Sequence, residues 1–398
     1  MGLRIGIDAT CWANSRGYGR YTREVVSELI SIGSRHTFIC FLDDRSAAHF
    51  DLTNANLQRE IVRQRVSPTL AATSGGGRSP LDMLRLTGAV RRASLDVFFS
   101  PSVYGYFPLP PGLPAAVTVH DAIPERFPSL TLPTRRDRWL WWAKVRLALA
   151  QARVILTVSE YAARDIATYL RVPRSRIRVT LEGVAAEYRP SESAEDVRAA
   201  AERVGLPANA RWLMYVGGFG AHKHVDLLVR AHAAVAKRHR APPLMLVLAG
   251  LVADGFHQDA AGVEAAIQEC GTQELVRWTG YLPDAELRHL HSGAVALALV
   301  SASEGFGLPA VEAARCGVPV IATTESPLPE ILEGGGLFVQ PGSRDAIEAA
   351  LERLVTDEPT RRAMGLQALK RASELSWPRS AGIVLKTLED LVLSRQVA

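Results

Sequence analysis

The 398 residues include only four cysteines, Cys11, Cys40, Cys270 and Cys316, with no CxxC pair and no metal-type spacing among them. That scatter excludes a disulfide-stapled scaffold or a zinc ribbon and points to reduced, buried thiols in a cytosolic protein. Long hydrophobic runs are also missing. The longest, 244–253 and 293–300, are near half the roughly 20 residues a membrane-spanning helix needs. The amino terminus enters a short apolar strand at once and lacks the h-region and small-residue cleavage site of a signal peptide. The expected location is therefore cytoplasmic. Neither sign of charge dominates, with 46 Lys and Arg against 41 Asp and Glu, net +5. That excess suits nucleotide diphosphates, anionic lipid or nucleic acid without choosing among them. A nucleic-acid role would need a patterned basic face with aromatics, and none is visible. No carboxylate cluster suited to a metal ion is present, so no metal and no cofactor are expected.

What the chain does contain is enough for two cores. It is 47% hydrophobic and 22% charged, as ordinary soluble proteins are, and its length favours two domains. Short β-rich runs alternate with Ala/Leu/Arg-rich helical stretches. Strands are predicted at 3–8, 37–42, 96–99, 116–120, 154–158 and 178–180, then at 212–216, 244–249, 276–279, 295–300, 318–322 and 337–339. Nearly continuous apolar strands between helices indicate parallel sheets covered on both faces. The fold class is α/β: two Rossmann-like, doubly wound parallel-sheet lobes with an interdomain cleft. The polar stretch 188–196 reads as a linker, which puts the boundary within 188–208 and gives lobes of 1–190 and 205–375. Residues 73–80, rich in Gly and Ser, are expected to form a mobile loop. In such sheets ligands bind beyond the carboxyl ends of the strands, and every candidate site follows a predicted strand.

The strongest constellation leaves the strand at 295–300 as Glu304-Gly305-Phe306-Gly307-Leu308-Pro309-Ala310-Val311-Glu312. Gly305 and Gly307 let the backbone approach a ligand closely. Pro309 suits the first turn of a helix, and the amides and positive end of that helix suit an anion. Two carboxylates beside such a helix start suit a sugar-nucleotide. A purely structural role, Glu312 complementing the helix dipole, is the plain alternative. A dinucleotide fingerprint competes, because Gly305 to Ala310 fits G-x-G-x-x-A with Glu325 20 residues beyond Gly305. The four residues between strand and first glycine, and Pro309 within the pattern, disfavour it.

Glu304 to Glu312 resembles the Glu-x7-Glu motif of retaining glycosyltransferases of the GT-B fold, especially glycosyltransferase family 4. The flanks strengthen the match: Gly280-Tyr281-Leu282-Pro283 upstream, and Arg315-Cys316-Gly317-Val318-Pro319-Val320 downstream. The resemblance implies that Glu304 lies near the donor sugar hydroxyls, that Glu312 holds the ribose, and that Gly305, Phe306, Gly307 and Leu308 contact sugar and diphosphate. In Gly217-Gly218-Phe219-Gly220-Ala221-His222-Lys223-His224 a strand ends in a glycine-rich loop with a cationic head, which suits a phosphate. The resemblance implies that Lys223 stabilises the departing diphosphate, with Gly218 and His222 beside it. The family usually has Arg where His222 stands, and a histidine of ordinary pKa carries less charge at neutral pH.

His120 in Val119-His120-Asp121 ends a predicted strand. The resemblance implies that it faces the donor sugar, although lone histidines are often structural. Gly17 in Ser15-Arg16-Gly17-Tyr18-Gly19-Arg20 resembles the family's loop near the diphosphate, with a tight turn as the plain alternative. Trp377-Pro378 resembles the point where the last helices cross back, joining about 376–398 to the first lobe. In Arg135–Arg146 the basic residues interleave with Trp139, Trp141 and Trp142, and steps of 100° suggest three different faces. A largely buried helix is the expectation, with shallow contact with anionic lipid as the alternative.

The expected activity is transfer of a mannose- or glucose-type hexose from a GDP- or UDP-sugar to a glycan or lipid-linked acceptor, with retention of configuration. The overall pattern most resembles the mannosyl- and hexosyltransferases of envelope polysaccharide or O-antigen synthesis. Peripheral contact with the inner face of the cytoplasmic membrane goes with it. The alternatives are a sugar-nucleotide 2-epimerase of the same fold and a non-catalytic sugar-nucleotide-binding relative.

Overall fold

The computed structural model describes residues 2–66, 79–132, 134–251 and 260–396; the loop expected at 73–80 lies, through residue 78, outside them. The chain divides into two compact units, Met1–Gly183 with Ser376–Ala398, and Val184–Leu375.

In the first unit, seven parallel strands are β1 (Arg4–Asp8), β2 (Thr37–Leu42), β3 (Leu57–Ile61), β4 (Val97–Ser100), β5 (Ala115–Thr118), β6 (Val154–Thr157) and β7 (Ile177–Val179), in the order β3-β2-β1-β4-β5-β6-β7. β4 and β5 are buried along their whole length, as strands covered on both faces must be. β3 was not among the expected strands. It lies at the sheet edge, where polar Gln58, Arg59 and Glu60 are tolerated, so no apolar run marks it. The helix Trp377–Gln396 packs on the helix Gly17–Ile32, and Arg178 donates to Asp390 at 2.9 Å. A Cβ on Gly183 would lie 2.4 Å from Trp377 N, so the chain leaving β7 meets this helix as glycine.

The helix Arg135–Gln151 is not the largely buried one expected. Trp139 and Trp142 are 63% and 59% exposed. Residues three apart on a helix share a face, so these two indoles lie together rather than on separate sides. Trp141 turns inward and donates its indole N–H to Glu125 at 2.6 Å.

The second unit holds six parallel strands, β8 (Arg211–Val216), β9 (Leu244–Ala249), β10 (Val276–Gly280), β11 (Ala296–Leu299), β12 (Val320–Thr323) and β13 (Gly336–Val339), in the order β10-β9-β8-β11-β12-β13. The winding goes one way from β8 and the other way from β11, so these two strands are neighbours where it reverses, with Ala296 paired to Leu213 and Leu297 to Met214. The division between units falls at Gly183 and Val184, ahead of the linker expected within 188–208. Tyr188 is buried and donates to Asp284 at 2.8 Å, and Ser191 N donates to Ser292 at 2.9 Å. This polar stretch is thereby tied into the second unit.

Two histidines make that unit sensitive to acid. His232 and His291 are fully buried, and burial pushes them down to about 4 and about 3. Below the ordinary value near 6.5 the unfolded chain takes protons that the folded one refuses. Stability should then fall as pH drops from about 6.5 towards 4, by up to about 1.4 kcal/mol per pH unit for each histidine. Urea denaturation across that range tests this: His291→Leu is expected to flatten the slope, and an unchanged slope would refute the assignment.

Candidate active site

The reversal between β8 and β11 brings their carboxyl-end loops together. After β8, Gly217 takes φ +150 and a 3-10 turn spans Ala221–Lys223. A Cβ on Gly250, where φ is +152, would lie 2.0 Å from Gly217 O, so the backbones beyond β8 and β9 touch in a way only glycine allows. The Tyr215 hydroxyl donates to Gly218 O. Ala302 N donates to His222 O at 2.7 Å and ties the β8 loop to the loop after β11.

On that second loop, Glu304 Oε1 accepts from Lys223 Nζ at 2.7 Å and from Ser301 Oγ at 2.6 Å. Glu304 is only 8% exposed, and Glu304 N donates to Glu325 O at 3.0 Å. Lys223 and Glu304, 81 residues apart, thus form one partly buried ion pair. Lys223 has three N–H donors, so the bond to Glu304 engages one of them. Gly307, at φ +93, precedes the helix Leu308–Arg315 with Pro309 in its first turn. Phe306, Leu308 and Glu312 are buried. The loops after β8 and β11 therefore bring a cation, a carboxylate and a helix start together, which can hold an anion beside a polyhydroxyl group. Among the described residues, no group of three or more His, Cys, Asp or Glu is placed to hold a metal ion.

In the first unit, β5 ends at Thr118, so His120 stands in the following loop. Its Nε2 lies 3.1 Å from Pro101 O and its Nδ1 lies 3.7 Å from Glu182 Oε1. Tyr21 meets the ring edge-on, with centroids 4.8 Å apart. Glu182 is 3% exposed; burial raises its carboxyl above the usual range, and the contact with His120 partly offsets this. Glu182 carries no motif in the sequence. Leu181, just before it, takes φ +51, and its carbonyl accepts from Ser380 Oγ at 2.9 Å. Gly17 is exposed at the start of its helix. The close approach there belongs to Gly19, whose Cβ would sit 2.1 Å from Asn14 O. Ser301 is the other residue the sequence did not single out, although its place three residues before Glu304 was visible.

Residues 15–188 match Glycosyltransferase Family 4, and residues 196–371 match Glycosyl transferases group 1. O-antigen chain mannosyltransferase B of Escherichia coli is 31% identical over 302 residues, 74% of each chain. The D-inositol 3-phosphate glycosyltransferase of Thermobifida fusca is 31% identical over 250 residues, 61% of this chain and 56% of that one. Two solved structures share the fold at 18% identity. Sucrose-phosphate synthase from Thermosynechococcus elongatus has a TM-score of 0.76 over 99% of this chain and 100% of its own. Anabaena Alr3699/HepE in complex with UDP and glucose has one of 0.73, over 98% and 100%. Fold and matches together define a glycosyltransferase with two Rossmann-like lobes. The chain belongs to glycosyltransferase family 4, in the GT-B group of folds.

Ser301 is the lever on the ion pair. Ser301→Ala leaves a buried carboxylate oxygen with one donor fewer, which is expected to cost about 1.5–3 kcal/mol. Denaturant titration reads this directly. A double-mutant cycle with Lys223→Met should show coupling, and strict additivity would show that serine and lysine act independently on Glu304.

Proposed function

We propose that the protein transfers a mannose- or glucose-type hexose from a GDP- or UDP-sugar to a hydroxyl of a glycan or lipid-linked acceptor, with retention of configuration and without an essential metal. The observation that carries this reading is the Lys223–Glu304 pair beside the start of the helix Leu308–Arg315. The likeness to the 31% identical mannosyltransferase supports mannose, and the fold shared with the Anabaena protein, solved with UDP and glucose, supports a nucleotide-linked donor.

In this reading Glu312 holds the ribose, Glu304 accepts from the sugar hydroxyls, and the backbone from Gly305 to Leu308 lies along sugar and diphosphate. Lys223, flanked by Gly218 and His222, meets the charge that grows on the leaving diphosphate as the glycosidic bond breaks, and the helix start adds its partial positive charge. The leaving phosphate takes the proton of the acceptor hydroxyl. On the first lobe, Gly17 and His120 are the proposed contributors. The pairing of Lys223 with Glu304 gives the lysine a fixed direction before any ligand arrives, which lowers the cost of ordering it on binding.

A thermal-shift panel of UDP-, GDP- and ADP-sugars identifies the donor, and transfer assays with that donor follow. Lys223→Ala is expected to reduce kcat about 100-fold, equivalent to about 3 kcal/mol of transition-state stabilisation. Glu304→Ala should lower both turnover and donor binding while the protein stays folded. Full activity in the Glu304 variant would sink this reading, and an isomerised sugar-nucleotide formed without acceptor would replace it with the epimerase.

A further inference from the structure

The helix Arg135–Gln151 carries a surface that the transfer chemistry leaves unused. Arg135, Trp139, Trp142 and Arg146 are exposed and follow one another at helical spacing along one side, with exposed Arg136 and Arg138 flanking them. At 1.5 Å per residue the stripe runs about 17 Å. The one acidic residue of the helix, Asp137, is buried and accepts from Thr134 Oγ1 at 2.6 Å. Among the described residues, Arg135, Arg136 and Arg146 form no ion pair. The side therefore presents positive charge and two indoles without any neutralising carboxylate.

We infer that this stripe docks the protein on an anionic lipid surface. Indoles are large and apolar with one polar N–H, which suits the depth of lipid headgroups. Arginines beside them reach phosphates while their stems lie along the apolar boundary. A stable protein partner would need a contiguous buried patch on the order of 1,000 Å² or more, and two indoles one turn apart between arginines make a stripe too narrow for that. The inference deepens the proposed reaction and rests on it only for its purpose, because a lipid-linked acceptor would present its hydroxyl at such a surface.

The test is flotation of the full chain with vesicles and no sugar-nucleotide, so its failure would leave the transferase reading untouched. Phosphatidylglycerol-rich vesicles should carry the protein, pure phosphatidylcholine vesicles should not, and added salt should release it. Trp139→Ala/Trp142→Ala and Arg135→Glu/Arg146→Glu should each weaken binding at least tenfold, with the melting temperature unchanged. Quenching of indole fluorescence by brominated lipid should be lost in the double tryptophan variant. The absence of binding to the anionic vesicles, equal binding to both kinds of vesicle, or undiminished binding of the double tryptophan variant would each overturn the inference.

Discussion

The hydrogen-bonded pairing of β8 with β11 is the constraint on which the site in the second unit depends. These strands lie about 80 residues apart in the chain, with two further strands between them, and become neighbours because the sheet reverses its winding there. Parallel strands side by side send their outgoing loops in the same direction, so whatever follows β8 must lie next to whatever follows β11. Lys223 and Glu304 are the residues so placed, and their 2.7 Å contact is a consequence of strand order. Move either strand one place along the sheet, about 4.8 Å, and the pair cannot form.

Holding that pair steady is largely the work of the backbone. The loop after β8 rests on the loop after β9 through Gly250 and Gly217, and joins the loop after β11 through His222 O and Ala302 N. Gly307 turns the chain into the next helix at a φ that side chains rarely adopt. A site braced by main-chain contacts costs little to order when a ligand arrives. It also explains why its surroundings are glycine-rich: a Cβ at Gly250 would overlap a carbonyl that cannot move without the strand.

Most of the fold was legible in the sequence because its strands are apolar runs buried on both faces, and such runs announce themselves. β3 did not, since an edge strand can carry Gln58, Arg59 and Glu60 without penalty. Lys223 and Glu304 were legible one at a time, each in a glycine-rich turn just beyond a strand. Their contact was not, because strand order is a tertiary property that no local spacing encodes. Glu182 gave no signal at all: its place follows from the turn at Leu181, held by Ser380 almost 200 residues later. The three-residue spacing of Trp139 and Trp142 did carry their shared face. What the spacing could not say is which side of that helix the sheet would cover.

The charges around Lys223 narrow what the loop can do. Lys223 already faces the carboxylate of Glu304 at 2.7 Å, and the helix start nearby adds roughly half a positive charge. With its charge matched by Glu304, Lys223 offers an incoming diphosphate little net attraction. In the proposed reaction this pair therefore attracts the ground-state diphosphate only weakly, and the positive end of the helix Leu308–Arg315 adds to that attraction. Lys223 gains importance later in the proposed reaction, when charge moves onto the leaving phosphate and a nearby ammonium is worth more than in the ground state. Glu304 limits that gain as long as it holds the lysine. A donor sugar whose hydroxyls engage Glu304 would weaken its hold on Lys223, so binding the sugar would itself prepare the cation for the bond-breaking step. In this scheme Glu304 links recognition of the sugar to stabilisation of the leaving group.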